Sequence, residues 1–343
     1  METGKSGSLS ERLAFTAEIA RNGYAWWYVD GISDDGAFGL TIIGFIGSVF
    51  SPYYALARRR GRGEPANFVA LNVALYGAGH NRWCMTERGR SALTRERTRL
   101  TIGPSMLRSE GDDLVITIDE TTVPWPRRLK GEVRVTPAAL TTRTFDLDDE
   151  GRHRWSPIAP RCRLQVAMDR PSIHWRGNGY LDRNQGERPL EDDFSCWDWS
   201  RAQVNDDTVI LYDITRRDGG QHAIGLRVDR QGRCLDIEPP PRSPLPPTIW
   251  RVPRSTQCGC KAHLPGCARR LPWNEGRGAH GTRTPCSARI VDTLEDTPFY
   301  SRSIIETHLL GQLTIAMHES LSLDRFRQRW VHLLLPFRMP RRR

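Results

Sequence analysis

Ala37-Phe38-Gly39-Leu40-Thr41-Ile42-Ile43-Gly44-Phe45-Ile46-Gly47-Ser48-Val49-Phe50-Ser51-Pro52-Tyr53-Tyr54-Ala55-Leu56-Ala57 carries no charge and lies between Asp34-Asp35 and Arg58-Arg59-Arg60. Its length and flanks permit a membrane-spanning helix. Its composition favours something else. Gly39, Gly44, Gly47 and Pro52 weaken a helix, while Thr41, Ile42, Ile43 and Val49 are β-branched. The stretch therefore reads as a buried strand, Phe38 to Phe50, that bends at its glycines.

The flanking sequence agrees. Phe68 to Tyr76 and Arg82 to Glu87 form a hairpin about Gly77-Ala78-Gly79. Ser105 to Ser109 and Leu114 to Glu120 pair across Glu110-Gly111-Asp112-Asp113, and Gly131 to Thr136 alternates. Further on, Thr208 to Arg216 and Gln221 to Asp229 flank Gly219-Gly220, with Arg233 to Ile237 after the turn at Gln231-Gly232. Ser303 to Leu310 and Leu313 to Ser320 flank Gly311-Gln312. Recurring strands with turn signals between them predict an antiparallel barrel or sandwich, and the two β-rich halves predict two barrels. Helices are expected at the two ends. One runs from Ser8 to Gly23, capped by Ser8 and Glu11. The other runs from Leu323 to Leu335, capped by Ser322 and ended by Pro336, with Phe326, Trp330, Leu333 and Leu334 on one face.

The 343 residues suit one large domain or two of ordinary size. A net charge of +10, mostly arginine, favours an anionic partner such as a membrane surface. No basic-aromatic module accompanies it, so a nucleic-acid partner is not expected. Met1 to Ser10 is polar and has no signal core, which points to the cytoplasm. Cys84, Cys162, Cys196 and Cys234 stand alone as small buried residues of a reduced protein. Cys258, Cys260, Cys267, Cys286, His263 and His280 fall in residues 251–289, which lose strand character after a proline-rich loop at Pro239 to Pro247. Their spacings fit no regular zinc site, so no metal is expected.

One polar stretch concentrates chemistry: His174-Trp175-Arg176-Gly177-Asn178-Gly179-Tyr180-Leu181-Asp182-Arg183-Asn184-Gln185-Gly186, with His153-Arg154-Trp155 just upstream. A carboxylic acid beside electron-rich rings suits a reaction that makes a carbocation by protonation. The same residues also suit a hairpin turn between ordinary core aromatics.

Longer motifs carry a resemblance. They are Trp27-Tyr28-Val29-Asp30 with Ser33-Asp34-Asp35-Gly36, Gly47 to Tyr54, Ala70 to Gly77, Met85 to Arg90 and Gly179 to Gly186. Trp197-Asp198-Trp199, Leu294 to Tyr300 and Met317 to Asp324 complete the set. Together they resemble the bacterial carotenoid 1,2-hydratases, also called hydroxyneurosporene synthases. The likeness covers about Gly23 to Arg242 and Ile290 to Arg343. The Cys-rich segment between them lies outside it.

The resemblance implies an all-β fold of two tandem lipocalin-like antiparallel barrels. They are expected over 23–165 and 166–343, behind a helical arm at 1–22. It also implies cofactor-free addition of water to the terminal double bond of an acyclic carotene, such as neurosporene or lycopene. The catalytic roles carry over onto His153, Trp155, Tyr180 and Asp182. In that reading Asp182 is the acid, Trp155 and Tyr180 face the cation, and His153 orients the water and takes its proton. His174 and Trp175 are expected to line the same cavity. Such a substrate lives in the bilayer, so peripheral docking on an anionic membrane is expected. A lipocalin-like carrier that binds a long hydrophobic ligand unchanged is the rival reading.

Overall fold

Alternation of apolar and polar residues becomes strands almost everywhere it occurs, and the fold is mostly β. The computed structural model describes residues 7–77, 79–259 and 288–342. Six strands of the first sheet matter for the site: β1 (Tyr24–Ser33), β2 (Phe38–Ile46), β3 (Val69–Gly77), β4 (Arg82–Arg88), β5 (His153–Arg170) and β6 (Ile173–Gly186). Four matter in the second: β7 (Phe194–Val204), β8 (Asp207–Arg216), β9 (Tyr300–Leu309) and β10 (Gln312–Ser322). Among the described residues the first sheet has twelve strands. Its order is β4-β3-β2-β1-β6-β5, then Arg128–Pro137, Asp113–Thr121, Ser105–Glu110, Arg99–Ile102 and Leu93–Glu96. The short strand Phe145–Asp146 pairs with β5 beside this path. The second sheet has seven strands among the described residues, with β8-β7-β10-β9 at its centre.

The first sheet curls until its two halves touch. A side chain at Gly44 on β2 would meet Leu107 and Ile102 from the far half. The enclosed space is filled by apolar residues such as Leu40, Ile42, Val73, Ile116, Val133 and Leu164. That filling explains the uncharged Ala37–Ala57 stretch. Its first part is β2, buried on both faces, and its second part enters a short helix, Pro52–Arg59, capped by Ser51.

Period-two alternation then divides β1 and β6 between two cores. Ala25, Trp27 and Val29 point into the curl, as does Leu181. Tyr24, Trp26, Tyr28 and Tyr180 point the other way, into a second core shared with the second sheet. That second core is an aromatic seam, to which β7 brings Phe194, Trp197 and Trp199, and β8 brings Tyr212.

Charges cross the seam in pairs. Arg201 on β7 meets Asp30 on β1, with both side chains buried (6% and 0% exposed). Its Nε also donates to Asp30 Oδ2 at 3.4 Å. Tyr76 on β3 donates to Glu295 at 2.6 Å and accepts from Arg302 on β9 at 2.6 Å.

Several expectations need correction. The first helix, α1 (Leu9–Leu13), keeps the Ser8–Glu11 capping box but stops far short of Gly23. Ala14 turns left-handed there, and Trp27 Nε1 donates to the Leu13 carbonyl at 2.7 Å. With the Pro52–Arg59 helix as α2, the C-terminal helix is two, α3 (Leu323–Phe326) and α4 (Arg329–Arg338), separated where Gln328 is extended. Pro336 lies inside α4 rather than ending it, since a proline removes only one backbone donor. Of the expected apolar face, only Phe326 is buried. Residues 165 and 166, the expected boundary, are neighbours within β5. The chain leaves the first sheet after Gly186 and enters the second at Phe194. Cys84 and Cys162 are buried as expected, but Cys196 and Cys234 are only half-buried. Cys258 is buried, whereas Cys260, Cys267, Cys286, His263 and His280 lie outside the described residues.

Arg201→Ala would leave Asp30 between the sheets with no cation and only the Tyr28 hydroxyl, 3.2 Å from Oδ2, as partner. The expected loss is about 3–5 kcal/mol of stability, the usual cost of orphaning one member of a buried pair. Chemical denaturation measures it. An unchanged midpoint and slope would show that this pair does not hold the sheets together.

Candidate active site

Asp182 projects from β6 into the seam and is 4% exposed. Two residues away on the same face, Tyr180 donates its hydroxyl to Asp182 Oδ2 at 2.9 Å. From β5, Trp155 Nε1 donates to the same oxygen at 2.9 Å. Asn184, two residues further along β6, places Nδ2 3.2 Å from Oδ1. The alternation of β6 thus sets Tyr180, Asp182 and Asn184 in a row.

Burial pushes the Asp182 carboxyl up to about 8. The Trp155 and Tyr180 hydrogen bonds oppose this, and the charges of Glu319 and Asp30 add to it. A carboxyl pushed that far up favours its protonated form near pH 7. With both donors on Oδ2, the proton belongs on Oδ1. Among the described residues Asn184 Oδ1 has no hydrogen-bond partner, so turning that amide lets it accept the acid proton.

Rings from both sheets surround the acid. Tyr180 packs on Trp199 (centroids 5.3 Å apart) and Tyr28 (6.1 Å), and Trp155 packs on Tyr212 (5.3 Å). Tyr28 is the direct ladder partner of Asp182. On its other side Tyr28 lines a largely apolar cavity of about 360 Å³ between the sheets. Trp26, Phe45, Met85, Trp197 and Phe299 line it as well, and Trp250, Leu334 and Phe337 stand at its outer part. Asp182 lies behind this wall, not in it.

The structure brings Trp155, Tyr180 and Asp182 together. It does not bring His153 to them. Burial lowers the imidazole pKa, against the pull of Asp193. His153 Nε2 is 2.8 Å from Asp193 Oδ2, and Nδ1 is 2.8 Å from the Tyr24 hydroxyl. A neutral ring donates to the carboxylate and accepts from the phenol, which leaves no nitrogen for water. Gly186 makes room for this contact, since a Cβ there would lie 2.6 Å from His153 Nδ1. His174 is exposed, eight residues or about 26 Å along β6 from Asp182. Trp175 packs against the curl's core instead of the seam. Two groups were not expected from sequence: Asp193, and the pair Glu319–Arg302. Glu319 stands in the motif from Met317 to Asp324, but its role depends on a neighbour in another strand.

Comparison with known proteins gives a consistent picture. The family described as carotenoid hydratase CrtC matches residues 42–268 and 262–343. These matches run through 251–289, the segment that the motif resemblance left out. The chain is 51% identical over 328 residues to the acyclic carotenoid 1,2-hydratase of Thiocapsa roseopersicina, covering 95% of this chain and 75% of that one. It is 44% identical to the acyclic carotenoid 1,2-hydratase of Rubrivivax gelatinosus, covering 96% and 76%. Among solved structures it resembles an AttH-type protein of Nitrosomonas europaea, with a TM-score of 0.53 and 15% identity over 87% of this chain and 92% of that one. That last likeness is one of fold alone.

The raised pKa of Asp182 makes stability depend on pH. The folded value of about 8 lies above the unfolded value of about 3.9. The folded state therefore holds this proton more tightly. Its contribution is full below about pH 4 and is lost as pH rises through about 8. Denaturation midpoints should fall between about pH 5 and 8 more steeply in the parent than in Asp182→Asn, whose amide never ionises. Identical slopes would mean that Asp182 is already ionised.

Proposed function

This chain belongs to the carotenoid hydratase CrtC family, and on that premise we propose that it is an acyclic carotenoid 1,2-hydratase with Asp182 as its acid. Water adds across the terminal C1=C2 double bond of a carotene such as neurosporene or lycopene. The observation that carries the reading is a carboxyl held neutral among aromatic rings of both sheets. Asp182 protonates C2, which leaves the charge on tertiary C1. Trp155, Tyr180 and nearby seam rings face that charge, each contributing about 0.5–2 kcal/mol when desolvated. His153, clamped by Tyr24 and Asp193, positions the end of β5 that carries Trp155. Every step falls to side chains, without a metal or redox cofactor. A carrier of the same hydrocarbon would gain nothing from burying a carboxyl.

The substrate's end enters the cavity, and it reaches Asp182 when the Tyr28 ring, part of the wall between them, gives way. Its other end stays in the bilayer, so we place the protein on the cytoplasmic face of a membrane. No helix among the described residues is long and apolar enough to cross one. Support for docking comes from α4, where Trp330, Leu333, Leu334 and Phe337 are exposed at helical spacing. Leu333 and Phe337 are 73% and 76% exposed. Leu334 and Phe337 also line the cavity, and no acidic residue follows Asp324 in the sequence. An apolar stripe among arginines suits an anionic lipid surface.

Asp182→Asn should bind carotene but hydrate it about 10²- to 10⁴-fold more slowly. Parent activity should fall as pH rises through about 8, because the neutral acid is the active form. Trp155→Phe removes a hydrogen bond that favours the carboxylate, so it should move that fall to higher pH. Mass analysis of lycopene products follows all three. Near-parent turnover by Asp182→Asn would end its role as acid.

Sedimentation with anionic phosphatidylglycerol vesicles should occur at low salt and reverse at high salt. Leu333→Glu with Phe337→Glu should weaken it and slow hydration of vesicle-borne lycopene more than detergent-borne lycopene. Equal binding by the double variant would remove α4 from the docking face.

A further inference from the structure

Hydration requires a second proton transfer. Asp182 gives one proton to carbon, and the attacking water must lose another. His153 has no free nitrogen for it. Glu319 on β10 does have a free oxygen, and it lines the cavity. Its Oε1 accepts from the Tyr28 hydroxyl at 2.8 Å and from Arg302 Nε at 2.9 Å. The second guanidinium nitrogen, Nη2, is also 2.9 Å from Oε1. Among the described residues nothing bonds to Oε2. The Tyr300 hydroxyl, from another cavity-lining residue, is buried and has no partner among the described residues either.

The surroundings of Glu319 suit a base. Arg302 is 1% exposed and holds Oε1 with two guanidinium nitrogens, which fixes the carboxyl group in the wall. Tyr28 links it towards the acid, because Tyr28 packs on Tyr180 and is the ladder partner of Asp182. Trp199, which touches both tyrosine rings, is the ladder partner of Glu319. Glu295 and Asp296, the other carboxylates in this wall, each accept through one oxygen only, but among the described residues neither bonds to Tyr28, and that contact singles out Glu319. Glu295 accepts from Tyr76 and Arg302, and Asp296 accepts from the backbone of Ile249.

We propose that Glu319 is the base of the reaction, holding the attacking water at Oε2 and accepting its proton. This rests on the hydratase reading with Asp182 as acid. The Asp182 O–H bond breaks as the C1=C2 electron pair forms C2–H. A lone pair of water then forms C1–O. One water O–H bond breaks and its proton goes to Glu319 Oε2, leaving a tertiary alcohol. Glu319 returns its proton to solvent and Asp182 regains one, so the sum is one water consumed. Asp182, with its neutral donors, and Glu319, paired with Arg302, divide acid and base work between two carboxyls in unlike surroundings.

Deuterium separates the two roles. Purified variants are incubated with lycopene in detergent and D2O. Mass analysis then measures hydrated product and deuterium in the recovered lycopene. In Glu319→Gln, hydration should fall about 10²-fold or more. Recovered lycopene should nevertheless gain deuterium, because the cation forms and, uncaptured, returns a proton. Asp182→Asn should lose both hydration and exchange. Undiminished hydration in Glu319→Gln overturns the base, as does loss of exchange in a variant that still binds lycopene. Exchange that persists in Asp182→Asn overturns the acid reading instead. If Glu319→Gln does not fold, Glu319→Asp carries the test. Its shortened carboxylate should lower the ratio of hydration to exchange, and an unchanged ratio overturns the proposal.

Discussion

The packing of Trp199 against both Tyr28 and Tyr180 is the contact on which the seam depends, because it locks a ring of the second sheet between two rings of the first. Apolar burial alone would join the sheets, but it would leave the ionisable groups between them unassigned. Arginine partners make the assignment. Asp30 has Arg201, and Glu319 has Arg302. Among the described residues Asp182 has only neutral donors, from Trp155, Tyr180 and Asn184. Three carboxyls in one dry layer therefore face different surroundings. What differs among them is where the guanidinium groups are placed.

Much of the fold is legible in the sequence, for local reasons. The hairpins about Gly111, Gly219 and Gly311 each join strands that meet their nearest neighbour in the chain, so alternation and turn residues suffice. The β1–β6 ladder joins residues far apart in sequence, and nothing local announces it. The shortened first helix has the same origin. Ala14 turns where Trp27 claims the Leu13 carbonyl, and Trp27 belongs to another element.

The candidate site divides in the same way. Tyr180 and Asp182 share a strand face and a recognisable motif, and Trp155 arrives on the adjacent strand. Asp193, Arg302 and Glu319 complete the electrostatics from the second sheet or its approach. Their residue types carry no local signal, since a carboxylate in a strand is ordinarily a solvated group. His174 and Trp175 read as site residues because they adjoin the motif. Distance along an extended strand removes them, as each residue adds about 3.3 Å.

The division of β6 between two cores has a consequence for how such a protein can change. Leu181 fills the curl while Tyr180 and Asp182 serve the seam. Adjacent codons therefore answer to unrelated demands: one set to folding, the other to chemistry. Substitutions at odd positions can retune the robustness of the first layer and leave the reactive groups in place. A single inserted or deleted codon before Tyr180 would exchange the two sets wholesale. Descent along this strand is thus open to point changes and closed to length changes.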